Sequence, residues 1–330
     1  MKKTILIIIL AIALVWATPY LNEYFSTKSV DGNPVTITIS EGATTDAIGE
    51  ILLEKNLIKH KNLFKLKVKL SQYNNRLNYG TYTLDDGMCL NDIIKTLAST
   101  AGQETVSLVV PEGYTIEQIA KKVSTLGICD EKEFINALSD DYGYEFINLI
   151  PEKNYKYKLQ GYLFPDTYTF FKNATAHQIV DEMLKNFDTQ YKKHIGEYSN
   201  KTFDIITKAS LIEKEAVLQR EQAIISGVIE NRLSINMPLQ VDAAIVYFIT
   251  DGMYDADTVY YKDLEKDSPY NIYKNAGLPA GAICNPGITA IKAAANPKEH
   301  EYLYYHTDTK KNDGSHIFTK TYEEHLSTQQ

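Results

Sequence analysis

The sequence predicts an α+β protein, with short strands and many amphipathic helices along a chain of 330 residues. Three observations support this class. A strand-and-helix pattern recurs as an internal repeat in the first half, helical periodicity dominates the second half, and closely spaced Gly, Pro and Asn follow residue 250. A chain of this length has room for two domains with separate cores.

The first predicted element is an apolar segment from Ile5 to Ala17 that follows two lysines. Because it is shorter than the roughly 20 residues of a spanning helix, a cleaved signal peptide is one interpretation. We favour a retained anchor over residues 1–21, since Trp16 and Tyr20 suit the membrane interface. The lysines then keep the N-terminus inside, and the chain beyond a linker at 22–34 lies outside the cytoplasm.

An internal repeat relates residues 35–66 to residues 106–137. VTITISEGATTDAIGEILLEKNLI aligns with VSLVVPEGYTIEQIAKKVSTLGIC through an alternating strand, a Glu-Gly turn, a threonine and an amphipathic helix. The threonines, Thr44 and Thr115, occupy N-cap positions, and Gln118 completes a capping box in the second copy. Each copy therefore predicts one strand followed by two helices.

This strand-helix-helix unit with its Glu-Gly-x-Thr turn resembles the LysM module, a small peptidoglycan-binding fold. The alternative is a generic α+β unit that holds another domain away from the membrane. We predict a LysM-like membrane-proximal domain over residues 35–140, which contains both copies of the repeat.

The chain changes character after residue 140, so a second domain is predicted over residues 141–327. Helical periodicity runs through HQIVDEMLKNF, FDIITKASLIEKEAV, EQAIISGVIENRL and DAAIVYFI. The segment NAGLPAGAICNPG that follows is rich in turn residues. Because irregular backbone beside helices commonly forms a binding cleft, we expect the functional site of the protein in this domain.

Composition excludes several classes of function. The formal net charge is −8 and no basic stripe is present, which argues against a nucleic-acid partner. Three widely spaced cysteines make no disulfide framework, and no nucleotide-binding loop occurs. Four histidines gather near the C-terminus without the spacing of compact metal ligands. We therefore predict no metal and no cofactor. These histidines are His300, His306, His316 and His325.

The run ASLIEKEA is the strongest candidate for catalysis, because Glu213 and Glu215 end an apolar helical stretch. Burial raises the pKa of a carboxyl group and makes it a proton donor near neutral pH. The alternative is a solvated helix face with local ion pairs. At about 100° per residue, Glu213 falls inside the apolar arc and Glu215 lies at its margin, so the helical wheel alone favours Glu213.

Eight motifs in one order resemble the endolytic murein transglycosylase family, also called MltG or YceG-like. The resemblance runs from about Val35 to Glu324. It implies a membrane-bound lyase that cuts peptidoglycan glycan strands internally, between N-acetylmuramic acid and N-acetylglucosamine, and leaves 1,6-anhydro-N-acetylmuramic acid ends. It also implies that Glu215 acts first as general acid and then as general base. The motifs are LQGYLFPDTY, ASLIEKEA, VIENRL, MPLQVDAAIVY, SPYNIY, GLPAGAICNPG, AANPKEHEYLYYH and GSHIFTKTYEEH.

Further polar residues match motif positions of that family and are predicted to bind substrate through sugar hydroxyl and acetamido groups. The alternative for each is cap or turn bonding inside the domain. Ala244 stands where the family often carries threonine, so a hydroxyl role at that position is absent. The predicted substrate-binding residues are Glu213, Asn231, Gln240, Asp242, Asn271 and Tyr273.

The resemblance also implies partners and a location. The expected partners are peptidoglycan glycan strands, the membrane and neighbouring peptidoglycan synthases, with a role in terminating nascent strands. The expected location is the cytoplasmic membrane, crossed once, with the catalytic domain on the periplasmic side. Two alternatives remain open: a muramidase-type hydrolase, which would add water to its product, and a non-catalytic peptidoglycan-binding scaffold.

Overall fold

The computed structural model of the chain describes residues 18, 20–25, 32–40, 42–99, 102, 104–256 and 258–329. Across these residues, helices are combined with small two-stranded sheets, so the predicted α+β class is confirmed. The segment from Ile5 to Ala17, predicted as an anchor, lies outside the described residues. No helix within the described part of the chain combines the length and apolarity that a membrane span requires.

The chain divides into two compact units, Met1–Thr105 and Val106–Gln330. The second unit includes the second copy of the repeat, whereas the sequence prediction grouped both copies in one domain. Strand pairing explains where this copy belongs, since Thr105–Val109 forms a sheet with Thr167–Phe171. Beyond the strand, the N–H of Val110 donates to the carbonyl oxygen of Asp166 at 2.8 Å.

The first unit combines four helices with an antiparallel strand pair. Alternate side chains of the first strand face inward, so Ile37 and Ile39 meet Leu52 and Phe64 in its core. The strands pair from Pro34 opposite Asp85 to Ile39 opposite Gly80. The elements are α1 (residues 20–25), β1 (Pro34–Ile39), α2 (Thr45–Glu54), α3 (Lys61–Leu70), β2 (Gly80–Asp85) and α4 (Leu90–Leu97).

The second unit is mainly helical and surrounds one long buried helix, α9. Residues on nearly every side of α9 are buried, which is typical of a helix at the centre of a domain. The elements are β3 (Thr105–Val109), α5 (Ile116–Thr125), α6 (Glu131–Ala137), α7 (Glu145–Asn148), β4 (Thr167–Phe171), α8 (Ala176–His194), α9 (Thr202–Glu215), a 3₁₀ turn (Gln219–Glu221), α10 (Gln222–Ser234), α11 (Asp242–Ile249), α12 (Tyr261–Leu264), α13 (Ile288–Ala295), β5 (Tyr304–Thr307), β6 (His316–Thr319) and α14 (Tyr322–Thr328).

Both copies of the repeat form the predicted strand followed by two helices, as β1-α2-α3 and as β3-α5-α6. Gly42 and Gly113 of the Glu-Gly turns have φ of 75° and 78°, in the left-handed region that favours glycine. Thr44 caps α2 by accepting the N–H of Ala47 at 3.2 Å. Thr115 and Gln118 form the predicted capping box at the start of α5.

Replacing Thr115 with alanine is expected to cost more stability than loss of an ordinary cap. Its buried hydroxyl accepts the N–H of Gln118 at 3.1 Å and donates to the carbonyl of Gly252 at 2.9 Å. Thr175 caps α8 with the same box but is exposed. We expect Thr115→Ala to lower the free energy of unfolding by about 2–3 kcal/mol and Thr175→Ala by about 1 kcal/mol. Urea titration of both variants measures the difference, and equal losses would contradict it.

Candidate active site

The candidate site lies at the C-terminal end of α9, where the helix leaves the core. Ala209 and Ile212 on the preceding turns are completely buried. The helix ends at Ala216, whose extended backbone (φ −91°, ψ 101°) breaks the helical pattern. Glu213, Lys214 and Glu215 therefore occupy the last turn and are half-buried, at the margin between core and solvent. Two carboxyl groups at this end of a helix also face the negative pole of its dipole, which disfavours their ionised form.

Glu215 points toward the strand pair β5-β6. Its Oε2 accepts a hydrogen bond from the hydroxyl of Tyr305 at 2.9 Å. Burial raises the pKa of Glu215 above its ordinary value of 4.5, and the charge of Asp242 acts in the same direction. The Tyr305 hydrogen bond and the nearby His316 and Arg232 oppose that rise in pKa. Glu215 is thus a carboxylic acid stabilised in its neutral form, with donors in place for its anion.

Glu213 takes a different role, because its carboxylate binds the backbone. Its Oε2 accepts the N–H of Gly287 at 3.0 Å, directly before α13. Burial also raises the pKa of Glu213, with a further contribution from Glu112. The side chain of Glu112 also lies against Gly287, since a Cβ added there would be 1.8 Å from Oε1 of Glu112. Glu213 therefore ties the end of α9 to the NPG turn.

Lys214 separates the two glutamates without pairing with Glu215. Its ammonium nitrogen lies 3.7 Å from the centre of the Tyr254 ring. Burial lowers the pKa of Lys214, since a charged ammonium loses hydration there. The Tyr254 hydroxyl in turn donates to the carbonyl oxygen of Ala243 at 3.1 Å, at the start of α11. The alternative interpretation of the Glu-Lys-Glu run, a solvated helix face with local ion pairs, is therefore not observed.

Asp242 and Tyr273 are the predicted site residues that gather beside Glu215. The hydroxyl of Tyr273 donates to Oδ1 of Asp242. Burial raises the pKa of Tyr273, and the charges of Asp242 and Glu215 add to that effect. Asp242 itself is exposed at the start of α11, so its carboxylate is open to solvent. The pair places a charged group and a phenol next to the candidate acid.

Asn231, Asn271 and Gln240 make contacts within the domain. The amide of Asn231 donates to the carbonyl oxygens of His300 at 2.8 Å and Tyr302 at 2.9 Å. Asn271 is fully buried and donates to two backbone carbonyls, both at 2.8 Å. The side chain of Gln240 is exposed, at a residue with φ of 53°. Substrate binding by these three residues stays a prediction.

Four residues near Glu215 were not singled out as site residues from the sequence: Tyr305, His316, Arg232 and Glu221. They come from separate segments. The signal for Tyr305, His316 and Arg232 lay in the motifs EYLYYH, GSHIF and VIENRL, whereas Glu221 lies outside these motifs, at the start of the helical segment EQAIISGVIENRL. The strand register brings two of them together, because Tyr305 pairs with Phe318 and Thr307 pairs with His316. Arg232 is buried and donates to the carbonyl oxygens of Leu303 at 2.6 Å and Leu239 at 2.7 Å.

The C-terminal histidines take individual roles. His300 engages the backbone through both ring nitrogens, with Nε2 2.9 Å from the carbonyl oxygen of Ile224 and Nδ1 accepting the N–H of Tyr302 at 3.0 Å. His306 lies beside Thr328 on α14. In the part of the chain that the structure describes, no group of three or more His, Cys, Asp or Glu side chains is arranged to hold a metal ion.

The raised pKa of Glu215 predicts a pH-dependent stability. A carboxyl whose pKa is higher in the folded state stabilises the fold below its unfolded pKa, near 4.5, and loses that contribution as pH rises through the folded pKa. Glu215→Gln removes the titration, so we expect the variant to become more stable than wild type as pH rises from 4 to 8. Thermal unfolding across this range measures the difference in Tm.

Glu301→Gln is the matched control with the opposite sign. Glu301 is exposed and accepts from Lys320 at 2.5 Å, which lowers its pKa in the folded state. The stabilisation from Glu301 is present above the unfolded pKa of its carboxyl and is lost as pH falls. The Tm of Glu301→Gln should therefore be slightly below that of wild type at neutral pH. A Tm difference for Glu215→Gln that stays constant with pH would contradict the raised pKa.

Comparison with known proteins identifies the family of this chain. The model of the YceG-like family matches residues 37–330. An endolytic murein transglycosylase of Bacillus subtilis (strain 168) is 36% identical over 304 residues, which is 88% of this chain and 82% of that protein. One of Streptococcus pneumoniae serotype 2 (strain D39 / NCTC 7466) is 30% identical over 356 residues, covering 98% of this chain. The match spans 64% of the length of that streptococcal protein, just under two thirds.

A solved structure shares the fold. The crystal structure of a yceG-like protein from Listeria monocytogenes aligns with a TM-score of 0.59 and 33% sequence identity, over 90% of this chain and 99% of that one.

Proposed function

Because this chain belongs to the YceG-like family, we propose that it is an endolytic murein transglycosylase, a lyase that acts on peptidoglycan. The single observation that carries the catalytic assignment is the environment of Glu215. Burial raises the pKa of this half-buried carboxyl, which favours a proton donor, and the hydroxyl of Tyr305 holds its Oε2 in place.

The proposed reaction needs one carboxyl group in two successive roles. Glu215 donates its proton to the oxygen between N-acetylmuramic acid and N-acetylglucosamine as the bond from that oxygen to C1 breaks. The resulting carboxylate then takes the proton of the C6 hydroxyl of the same muramic acid, whose oxygen bonds to C1. No water is consumed, and Glu215 ends protonated as it began. Glycosidases that hydrolyse their substrate instead use a pair of carboxyl groups, one of which activates water or forms a covalent intermediate.

The surroundings of Glu215 favour the single-carboxyl reaction. Glu213, the nearest carboxyl in sequence, is bound to the N–H of Gly287, and this contact holds it in a structural position. Asp242 is bound by the hydroxyl of Tyr273 and is exposed. Asp242 and Tyr273 thus form a polar pair beside the acid and serve as binding groups for sugar hydroxyls. The other predicted substrate-binding residues are Asn231, Gln240 and Asn271.

For the first unit, we propose a LysM-like peptidoglycan-binding role next to the membrane. The order β1-α2-α3-β2, with the two strands paired antiparallel, supports this assignment. The apolar segment before residue 18 would anchor the chain by one crossing, with both units on the extracytoplasmic side. In that position the enzyme would cut strands beside the synthases that extend them and so end nascent strands.

Mass spectrometry of fragments released from purified peptidoglycan by the full chain tests the proposed function. We expect fragments of intermediate length whose muramic acid ends are one water lighter than hydrolysis products. Reducing ends at normal mass would instead show a hydrolase and require a second catalytic carboxyl. Absence of fragments, with binding to peptidoglycan retained, would show the scaffold.

A further inference from the structure

The strand pair β5-β6 presents two side chains to the candidate acid in a fixed arrangement. Tyr305 of β5 donates its hydroxyl to Oε2 of Glu215 at 2.9 Å. The ring of His316, on β6, meets the Tyr305 ring edge-on, with centroids 5.5 Å apart and an interplanar angle of 87°. The imidazole therefore supports the phenol ring from the side and lies close enough for its charge to act on Glu215.

His316 is itself held by a carboxylate. Glu221, in the 3₁₀ turn between α9 and α10, accepts from Nδ1 of His316 at 2.8 Å and from its backbone N–H at 3.1 Å. Both side chains are nearly buried, with 7% and 9% exposed. With Glu221 as acceptor, Nδ1 of His316 carries a hydrogen. The carboxylate of Glu221 thus fixes both the backbone of His316 and, through Nδ1, the orientation of its ring.

We propose that Tyr305 and His316 are positioning residues for Glu215, with Glu221 fixing the orientation of His316. Tyr305 holds Oε2, so that the proton to be donated resides on Oε1. His316 packs edge-on against the Tyr305 ring and keeps the phenol hydroxyl on Oε2 when the carboxylate is left after donation. This inference rests on the proposed function, because it assigns how one carboxyl serves as acid and then as base.

The physical need for such residues comes from burial. A half-buried carboxyl is a good proton donor, but its anion is costly unless donors and cations compensate it. An acid that must next act as a base needs that anion for part of every cycle. A phenol hydroxyl on one oxygen, supported by the imidazole beside its ring, meets this need and leaves the other oxygen free for substrate.

The remaining groups that face Glu215 do not take over this task. The charge of Asp242 opposes the anion and raises the pKa of Glu215. The buried guanidinium of Arg232 lowers that pKa, and its Nε and Nη1 donate to backbone carbonyls. Tyr254 and Tyr273 are phenols whose own pKa values are raised by burial, and their hydroxyls donate elsewhere. Direct hydrogen bonding to Glu215 therefore falls to Tyr305.

Rates of fragment release measured from pH 4.5 to 9 with the full chain test the proposal, with Tyr305→Phe and His316→Asn as the variants. Each change removes a group that stabilises the anion, so the pKa of Glu215 should rise. The high-pH limb of kcat, where Glu215 loses its proton, should move upward by about one pH unit. We expect kcat at the optimum to fall about 10- to 100-fold, as for loss of a hydrogen bond to a charged group, with KM within about threefold.

Three matched variants separate positioning from damage to the fold. Tyr304→Phe removes a phenol hydroxyl from the neighbouring residue on the same strand, whose ring lies under Arg232, and should leave the pH limb in place. Glu221→Gln keeps an acceptor for His316, so it should retain more activity than Glu221→Ala. Lower kcat in Tyr305→Phe and His316→Asn without movement of the limb, in variants with native near-UV circular dichroism, would overturn the inference.

The proposed function can fail separately from this inference. Wild-type fragments with anhydro ends that disappear in Glu215→Gln establish the function whatever the pH limbs do. Anhydro fragments from Glu215→Gln would overturn the role of Glu215, and this inference with it, whereas reducing ends from wild type would overturn the function itself. Once the function is established, the positions of the high-pH limbs of kcat in Tyr305→Phe and His316→Asn test the positioning roles.

Discussion

Glu215→Gln should abolish cleavage of peptidoglycan, with a loss of at least about 1,000-fold, while the fold stays intact. Glutamine has the size of glutamate, and its amide oxygen can still accept the hydroxyl of Tyr305, so the packing of the last turn of α9 is kept. It cannot donate a proton to the glycosidic oxygen or take one from the C6 hydroxyl. Both steps lose their catalyst, which makes this the largest effect on activity that we expect from one substitution.

Glu213→Gln is the control that addresses the ambiguity of the Glu-Lys-Glu run. A glutamine at 213 can still accept the N–H of Gly287, so the tie to the NPG turn survives and activity should remain measurable. Release of fragments by each variant, measured by chromatography and mass spectrometry, compares them directly. An inactive Glu213→Gln beside an active Glu215→Gln would reverse the assignment.

Asn285→Ala should cause a large loss of stability, because this fully buried amide joins three segments under the site. Its Oδ1 accepts the N–H groups of Gly161 at 2.9 Å and Leu163 at 3.0 Å, and its Nδ2 donates to the carbonyl oxygen of Tyr114 at 3.0 Å. Alanine leaves these buried groups without their partner. We expect the free energy of unfolding to fall by about 3–5 kcal/mol, and Tm by roughly 10 °C.

Asn296→Ala is the matched control for this prediction. Asn296 is exposed at the end of α13, and its amide makes a single long contact of 3.4 Å to Lys292. Its loss should cost less than about 1 kcal/mol. Calorimetry of both variants tests the difference; a small effect of Asn285→Ala would mean that water or a local shift satisfies the N–H groups of Gly161 and Leu163. Because Asn285 precedes Gly287 by two residues, we also expect Asn285→Ala to lower activity through the turn that binds Glu213.

Local chemistry made the repeat predictable from sequence. The alternation of the strands, the Glu-Gly turns and the capping box of Thr115 with Gln118 depend on residues only a few positions apart. The distant partners of the second copy were not predictable in this way. Its strand pairs with Thr167–Phe171, and its Thr115 also bonds Gly252, both distant in sequence.

In the candidate site too, contacts between distant residues could not be predicted from the local sequence pattern. Periodicity placed Glu213 and Glu215 at the end of a helix, but a helical wheel cannot distinguish a carboxyl bound to Gly287 from one bound to Tyr305. That distinction depends on a loop and a strand about 75 to 90 residues later in the chain. The resemblance to a family pointed to Glu215, and the contacts supply a physical reason for separate roles.

The most direct test of the single-carboxyl reaction is digestion of peptidoglycan in water enriched in ¹⁸O. If Glu215 acts alone as acid and then as base, the C6 hydroxyl of muramic acid is the nucleophile, and new ends should be anhydro sugars that contain no ¹⁸O. Incorporation of one ¹⁸O at C1 of the new muramic acid ends would show that water attacks. That result would contradict the transglycosylase reaction and would require a second carboxyl beside Glu215.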